Sequence, residues 1–136
     1  MAERLSTPGY VPLWAGWTIP LPPCTTERNK DGSFSAWGSD WAVDVTIVEC
    51  GNDAAGNPIS ATRILGDVGQ AIKISGNGWI GSMETLNESD NGKPVTRLAT
   101  KLCAQNTFMS CWVSYTNDKF APLADAIVKN ILHRPA

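Results

Sequence analysis

The side chains best suited to acid-base or nucleophilic chemistry are few and widely spaced in this sequence. His133 is the only histidine, and it lies three residues from the carboxyl end. A Ser-His-Asp or Cys-His site holds an imidazole beside a hydroxyl or thiol, yet the chain contains no Gly-x-Ser-x-Gly elbow to supply one. We interpret His133 as a solvated side chain in the last turn of a helix, where it complements the helix dipole.

Carboxylates offer a second kind of chemistry. Asp44, Glu49 and Glu84 lie on or near predicted strands, and two that met across a sheet could share general acid-base work. Residues 53–57 and 88–92 carry oxygen ligands beside a glycine, but neither segment has the spacing of a calcium-binding loop. We interpret both as turns, and we expect neither a metal nor a cofactor.

The composition is that of one folded domain. Of its 136 residues, 43% are hydrophobic and 18% are charged, which is enough apolar material for a core. The net charge of -2 comes without a basic stripe, so we expect no nucleic acid partner. No apolar run approaches the ~18 residues of a membrane span, and the first ten residues lack the apolar core of a secretory signal. We expect a cytoplasmic protein, bacterial in style, with no membrane partner.

Tryptophan is the most abundant aromatic residue, with six copies at positions 14, 17, 37, 41, 79 and 112. Indoles on outward strand faces form amphipathic contact surface, whereas inward indoles fill a core. Both interpretations stay open from the sequence. The candidate binding residues are Trp37, Trp41, Trp79 and Trp112.

The first third of the chain is rich in proline, at positions 12, 20, 22 and 23. Proline fixes φ and removes an amide donor, which favours an extended arm over residues 1–33, with at most an edge strand near Trp17. Asp31-Gly32 predicts a hairpin corner. Apolar and polar residues then alternate from Val43 to Ile47, which predicts a half-buried strand. The preceding Trp37–Trp41 piece either folds back, so that the two indoles face each other, or forms one bent strand.

The middle of the chain, near residues 58–66, is compatible with either a helix or a strand. Asn57-Pro58 resembles the N-cap and first residue of a helix, so residues 58–66 fit a short helix. A strand from Ile59 to Leu65 is the alternative, because Gly66 and Gly69 both weaken a helix.

The second half predicts an antiparallel meander that completes a sheet over residues 34–116. Asn77-Gly78 fits a type I′ turn between two strands, Asp90-Asn91-Gly92 marks the next corner, and a third turn sets Gln105 opposite Phe108. In that register Cys103 and Cys111 point to opposite faces and cannot bond to each other. Four cysteines without a CxxC pair fit reduced thiols in a cytosolic chain, and a disulfide stays an alternative.

Residues 118–133 predict the clearest helix. Asn117 or Asp118 can cap it, and Pro135 ends it. Its apolar side chains recur at intervals of three and four residues, so they should pack on one face of the sheet. These side chains are Phe120, Leu123, Ala124, Ile127, Val128 and Ile131.

Taken in order, the segments GWTIPLP, WAVDVTIVEC, WIGSMETL, VTRLATKL, FMSCWVSYT and DKFAPLADAIVKNIL resemble the Mog1/PsbP-like fold group. The resemblance covers most of the chain and concerns the layout of its elements. It implies an antiparallel sheet between helices and a non-enzymatic protein that serves assembly or partner binding. It transfers no functional residue to this chain.

The sequence thus predicts a single α+β domain, in which an antiparallel β-sheet meander carries a C-terminal helix on one face, with a second short helix as an option. The predicted function is a non-catalytic protein-binding or adaptor module, immunity- or chaperone-like, whose partner is another protein. One alternative is a small-molecule binder or an enzyme that uses a carboxylate pair in a sheet-helix cleft. A homodimer joined through an edge strand is another.

Overall fold

A computed structural model describes residues 9–51, 53–57 and 71–134. Within them lie ten strands, one 3-10 turn and one α-helix. The strands are β1 (Gly9–Pro12), β2 (Trp17–Leu21), β3 (Thr25–Arg28), β4 (Ser33–Gly38), β5 (Trp41–Glu49), β6 (Ile72–Gly76), β7 (Trp79–Asp90), β8 (Lys93–Ala104), β9 (Thr107–Tyr115) and β10 (Leu132–His133). The 3-10 turn Asp118–Phe120 leads directly into helix α1 (Ala121–Lys129).

Seven strands form one antiparallel sheet in the order β3-β4-β5-β9-β8-β7-β6. The last four strands are neighbours in sequence as well as in space, which confirms the predicted meander. Strand β5 pairs with β9 over its whole length, from Trp41 opposite Tyr115 to Glu49 opposite Thr107. The fold is therefore α+β, with β-structure predominating.

Residues 9–21, predicted as part of an extended arm, instead lie in a second sheet of three strands in the order β1-β2-β10. Strand β2 is its central strand, and Trp17 and Ile19 are buried in the core. Pro20 is tolerated there because β10 pairs only with Thr18 and Trp17, so β2 has a single neighbour at the proline.

The core lies between one face of the large sheet and a layer made of helix α1 and the small sheet. Strand β5 shows the alternation predicted for it, since Val43 and Val45 are buried and Asp44 is exposed. Helix α1 buries Leu123, Ala124, Ile127 and Val128, as the apolar stripe predicted. Asn117 accepts a hydrogen bond from the Lys119 amide at 3.0 Å, which confirms the predicted cap.

The turns follow the sequence closely, with two differences. Asn91 and Gly92 both have positive φ, 53° and 80°, which is the type I′ pattern. At the predicted type I′ turn, only Gly78 has a positive φ, 89°. Asn77 does not have a positive φ, and its carbonyl accepts a hydrogen bond from the His133 amide. In the last hairpin Ala104, not Gln105, closes the turn.

The shift at that last hairpin moves the pairing by two residues, so every side chain keeps its predicted face. Cys111 points into the core beside the buried Met109 and Val113, whereas Cys103 lies on the other face. The prediction that these two thiols cannot bond to each other is confirmed.

The predicted end of the helix and the predicted environment of His133 are wrong. The helix ends at Lys129, and Asn130 turns the chain by bonding to the Ala126 carbonyl through its amide and its side chain. His133 then pairs with Trp17 as part of β10 and is buried. Long-range strand pairing thus overrides the local helical pattern.

The predicted alternatives for residues 58–66 lie outside the described residues. Among the residues that are described, no helix has both the length and the apolar character needed to cross a membrane.

Candidate functional site

The four candidate tryptophans divide into two pairs. Trp37 and Trp112 are each 40% exposed, whereas Trp41 is 8% and Trp79 is 4% exposed. The two buried indoles cannot form part of a contact surface, so the exposed part of the predicted site reduces to Trp37 and Trp112.

The register of the β4-β5 hairpin explains the division at its turn. Gly38 pairs with Trp41, and Trp37 pairs with Ala42. Because successive side chains on a strand point to opposite faces, Trp41 enters the core and Trp37 leaves it. Of the two alternatives for this piece, the chain folds back at the turn, but the two indoles lie on opposite faces and do not face each other.

Each buried indole covers a glycine on the neighbouring strand. A Cβ on Gly38 would lie 2.4 Å from Nε1 of Trp41, and one on Gly76 would lie 2.2 Å from Cζ2 of Trp79. The Trp79 Nε1 also donates a 2.7 Å hydrogen bond to the buried carbonyl of Ile131. These two indoles are structural, since they fill the space that the glycines leave.

Trp37 and Trp112 stand on the same face of the large sheet, opposite the helix. Trp37 pairs with Ala42, and Trp112 pairs with Asp44, two residues further along β5. The two tryptophans are thus separated by two strand spacings and one side-chain row, about 12 Å between Cα atoms. The small side chains of Ala42 and Ser114 lie level with Trp37. We call this surface, made of Trp37, Ala42, Asp44, Ser114, Trp112 and Arg97, the two-tryptophan face.

Charged groups flank the indoles on this face. The Arg97 guanidinium lies 5.4 Å from the centre of the Trp112 ring, a cation-π arrangement that holds one side of the indole, and it is also paired with Glu88. On the other side, the Ser35 hydroxyl donates a 3.1 Å hydrogen bond to Asp44. Trp112 is therefore flanked on its β8 side by Arg97, which is paired with Glu88, and on its β5 side by Asp44, which lies on the strand between those of the two indoles.

The candidate carboxylates are not brought together. Asp44 and Glu84 share a row of the sheet, but Trp112 and Ala99 stand between them, so their Cα atoms are about 14 Å apart. Glu49 has the opposite strand parity to Asp44 and projects from the other face. The described residues thus hold no carboxylate pair of the predicted kind.

His133 is fixed in the structure instead of being free for proton transfer to a substrate. Its ring meets Trp17 edge-on, with centroids 4.8 Å apart, and its Nε2 lies 2.9 Å from the carbonyl oxygen of Ala15. A carbonyl can only accept, so Nε2 carries a proton and donates this bond. The interaction ties β10 to the turn between β1 and β2.

The two acidic loops make turns. Asp53 accepts hydrogen bonds from the amides of Ala55 and Asn57, both at 2.9 Å, which occupies its carboxylate in an Asx-turn. Glu88 is engaged by Arg97. Over residues 9–51, 53–57 and 71–134, no group of three His, Cys, Asp or Glu side chains could hold a metal ion.

No disulfide joins the four cysteines, and burial opposes the ionisation of Cys24, Cys103 and Cys111. Burial raises the pKa of Cys111 to about 12 and also raises the pKa of Cys24. The pKa of Cys103 is raised by burial first and by nearby Cys50 second. Because the thiolate is the nucleophile, these environments are the reverse of those in a cysteine-dependent enzyme.

A shallow groove of about 380 Å³ lies between the small sheet and strand β3. Its lining includes Tyr10, Leu21, Pro22 and Cys24. No acid, base or amide side chain of the lining points to a specific ligand, so this groove is a weaker candidate than the two-tryptophan face.

Solved structures with a similar fold include a protein of Bacteroides thetaiotaomicron VPI-5482, with 14% identity and a TM-score of 0.67 over 88% of this chain. This chain spans 45% of that protein's length. They also include cyanobacterial PsbP from Synechocystis sp. PCC 6803, with 11% identity, a TM-score of 0.43 and 88% of each chain covered. A PsbP structure is thus among those that the chain resembles, as its layout predicted, and the likeness concerns the fold alone. No family model and no curated protein matches the sequence.

A signal that separates the tryptophans is present in the sequence. Trp41 is in phase with Val43 and Val45, so it shares their buried face. Trp112 is out of phase with Cys111 and Val113 and shares the opposite face. Extending the period-two alternation to the tryptophans would have predicted which of these two indoles is exposed.

Proposed function

We propose that this chain is a protein-binding module of the adaptor type, immunity- or chaperone-like, which recognises its partner through the two-tryptophan face. The observation that carries this proposal is that Trp37 and Trp112 stand half-exposed on one sheet face while two other candidate indoles are buried. Tryptophan and arginine are enriched among residues that dominate binding energy, and here they occur together at 5.4 Å.

The shape of the face supports a protein partner. The small side chains of Ala42 and Ser114, in the same row as Trp37, form a shallow depression beside that indole. An apolar side chain of a partner can bind there. Together the two indoles expose about 200 Å². Covering it contributes on the order of 5 kcal/mol at ~25 cal/mol per Å², before the entropy of association is subtracted. Arg97 beside Trp112 and Asp44 between the two indoles add polar contacts to this apolar binding centre.

The proposal includes the cytoplasm of a bacterium as the setting. A chain with four cysteines and no disulfide among them is typical of a reducing compartment. The alternative of a carboxylate-based enzyme gains no support, because the two acids that share a row are about 14 Å apart.

The test starts with affinity capture from the source cell and quantitative mass spectrometry, using the native chain, a Trp37→Ala/Trp112→Ala variant and a Tyr10→Ala control. Tyr10 is 49% exposed but belongs to the small sheet. The captured protein is then purified, and its dissociation constant is measured with all three forms by calorimetry. We expect the double tryptophan replacement to weaken binding at least about thirtyfold, with Tyr10→Ala unchanged.

Oxidative footprinting of the purified complex provides a second readout. Trp37 and Trp112 should be modified in the free chain and protected in the complex, while Tyr10 is modified in both. Equal affinities for the native and double-variant chains, combined with unprotected indoles, would show that the partner binds elsewhere. Circular dichroism should show the same fold in all variants, since the replaced side chains lie on the surface.

A further inference from the structure

The two edges of the large sheet differ in what they offer to a further strand. Strand β3 forms one edge and β6 the other. An edge strand presents main-chain donors and acceptors to any strand that can approach it. The spacing of these free groups and the side chains between them determine which strand fits.

Among the described residues, no strand pairs with the second side of β6, and the main-chain groups that point to that side belong to Lys73 and Ser75. Gly76 and Trp79 are joined by a two-residue turn and form a hydrogen-bonded pair. Bonded and non-bonded pairs alternate along an antiparallel ladder, so Ile74 bonds to β7, and the amides and carbonyls of Lys73 and Ser75 point to the open side. The edge ends at Asn77, whose carbonyl is already bonded to His133.

We propose that a second copy of this chain pairs with β6 across this edge, in antiparallel register, with Lys73 of each copy opposite Ser75 of the other. The register makes four main-chain hydrogen bonds, because every free donor on one copy meets a free acceptor on the other. A register with Lys73 opposite Lys73 sets like charges together. One with Ser75 opposite Ser75 aligns Lys73 with the occupied Asn77.

The side chains of β6 are complementary in the same register. Ile74 lies on the two-fold axis and meets its own copy. Ile72, which is 57% exposed, lies opposite Gly76 of the second copy, beside the Trp79 indole that covers that glycine. The pairing thus covers one of the largest exposed apolar side chains of the described surface.

The other edge is self-repelling. In the β3-β4 hairpin Glu27 is bonded to Ser35 across the ladder, so the free groups belong to Thr26 and Arg28. Pairing two β3 strands through these groups would set Glu27 opposite Glu27, with like charges about 5 Å apart at their Cβ atoms. Arg28 is also engaged by the Pro12 carbonyl at 2.6 Å. Charge therefore favours a β6-β6 contact over a β3-β3 contact.

Two-fold pairing through β6 joins the large sheets of both copies into one continuous sheet. The axis is perpendicular to the sheet, so the two-tryptophan faces of both copies lie on the same side. The short contact places this dimer among weak, reversible assemblies. This inference stands independently of the partner proposed above.

Sedimentation equilibrium on the intact chain tests the proposal at concentrations from about 10 µM to 1 mM. The native chain should show a concentration-dependent monomer-dimer equilibrium. Ser75→Lys places a lysine opposite Lys73 twice and should weaken the dimer about fivefold, whereas Ser75→Glu should strengthen it by a similar factor. The exchange Lys73→Glu/Ser75→Lys swaps the two charges of the Ser75→Glu dimer and should therefore dimerise as tightly as Ser75→Glu does.

Ser89→Lys is the matched control, because Ser89 is exposed on β7 and pairs with Pro94, away from β6. It should leave the dimer unchanged, and thermal unfolding should confirm that all variants remain folded. The proposal is overturned if the native chain and Ser75→Glu both remain monomeric at the highest concentration. It is equally overturned if the charge variants do not follow the predicted order.

Discussion

Replacing Trp79 by phenylalanine tests the assignment of this indole to the structure. The substitution keeps an aromatic ring above Gly76 but removes the donor of the 2.7 Å hydrogen bond to the Ile131 carbonyl. That carbonyl belongs to a fully buried residue between helix α1 and strand β10, so the phenylalanine leaves it without its indole partner.

The magnitude has two parts. A buried acceptor that loses its donor costs about 1–3 kcal/mol of the free energy of unfolding. The smaller ring adds about 1 kcal/mol for lost contacts and a small cavity. We therefore expect Trp79→Phe to lower the free energy of unfolding by about 2–4 kcal/mol.

Trp41→Phe is the matched control. Trp41 is also buried and also covers a glycine, Gly38. No hydrogen bond from its indole nitrogen is found in the described part of the chain, so its replacement should cost only the packing part, about 1 kcal/mol. The difference between the two variants isolates the hydrogen bond.

Urea unfolding followed by circular dichroism gives both free energies, provided that the slope with denaturant is unchanged. Thermal unfolding should agree, with a fall in Tm of about 4 °C per kcal/mol for a chain of this size. Equal destabilisation of both variants, to within about 0.5 kcal/mol, would refute the structural role of the Trp79 nitrogen.

Two further outcomes follow from burial and close packing. In the native protein at pH 8, Ellman's reagent should modify half-buried Cys24 and spare Cys111. The reason is that a pKa of about 12 leaves only about one Cys111 side chain in ten thousand as thiolate. Modification of Cys111 as fast as in urea would contradict this. Gly81→Ala should lower the free energy of unfolding by about 1–3 kcal/mol, because its Cβ would lie 2.2 Å from the Lys101 carbonyl oxygen. Gly9→Ala is the control: the nearest contact of its Cβ is 3.7 Å, so its free energy of unfolding, measured in parallel, should be unchanged.

The proposed binding surface and the proposed dimer edge use different parts of one sheet. The two-tryptophan face lies on strands β4, β5, β9 and β8, and the free edge is β6. A dimer through β6 would present two such faces side by side, and a divalent partner would then bind with higher avidity than either face alone provides. The Ser75 variants and the tryptophan variants separate these two properties experimentally.

The candidate site was only partly predictable from the sequence. The tryptophans that form it were named, and the alternation around Trp41 and Trp112 contained the information about which of these two is exposed. The burial of Trp79 was less accessible, because it depends on the carbonyl of Ile131, 52 residues away in the chain. Arg97 was not singled out, since its approach to Trp112 requires the β8-β9 register.

By itself the sequence determined the local features of this protein: which residues of a strand share a face, where the hairpins turn, and which side of the last helix is apolar. These follow from side-chain periodicity and from the φ values that residues such as Asn91 and Gly92 accept. The tertiary structure alone decided that residues 9–21 form a second sheet and that His133 is buried against Trp17. The physical reason is distance along the chain: His133 bonds to Ala15 across 118 residues, and no local preference at either end encodes that contact.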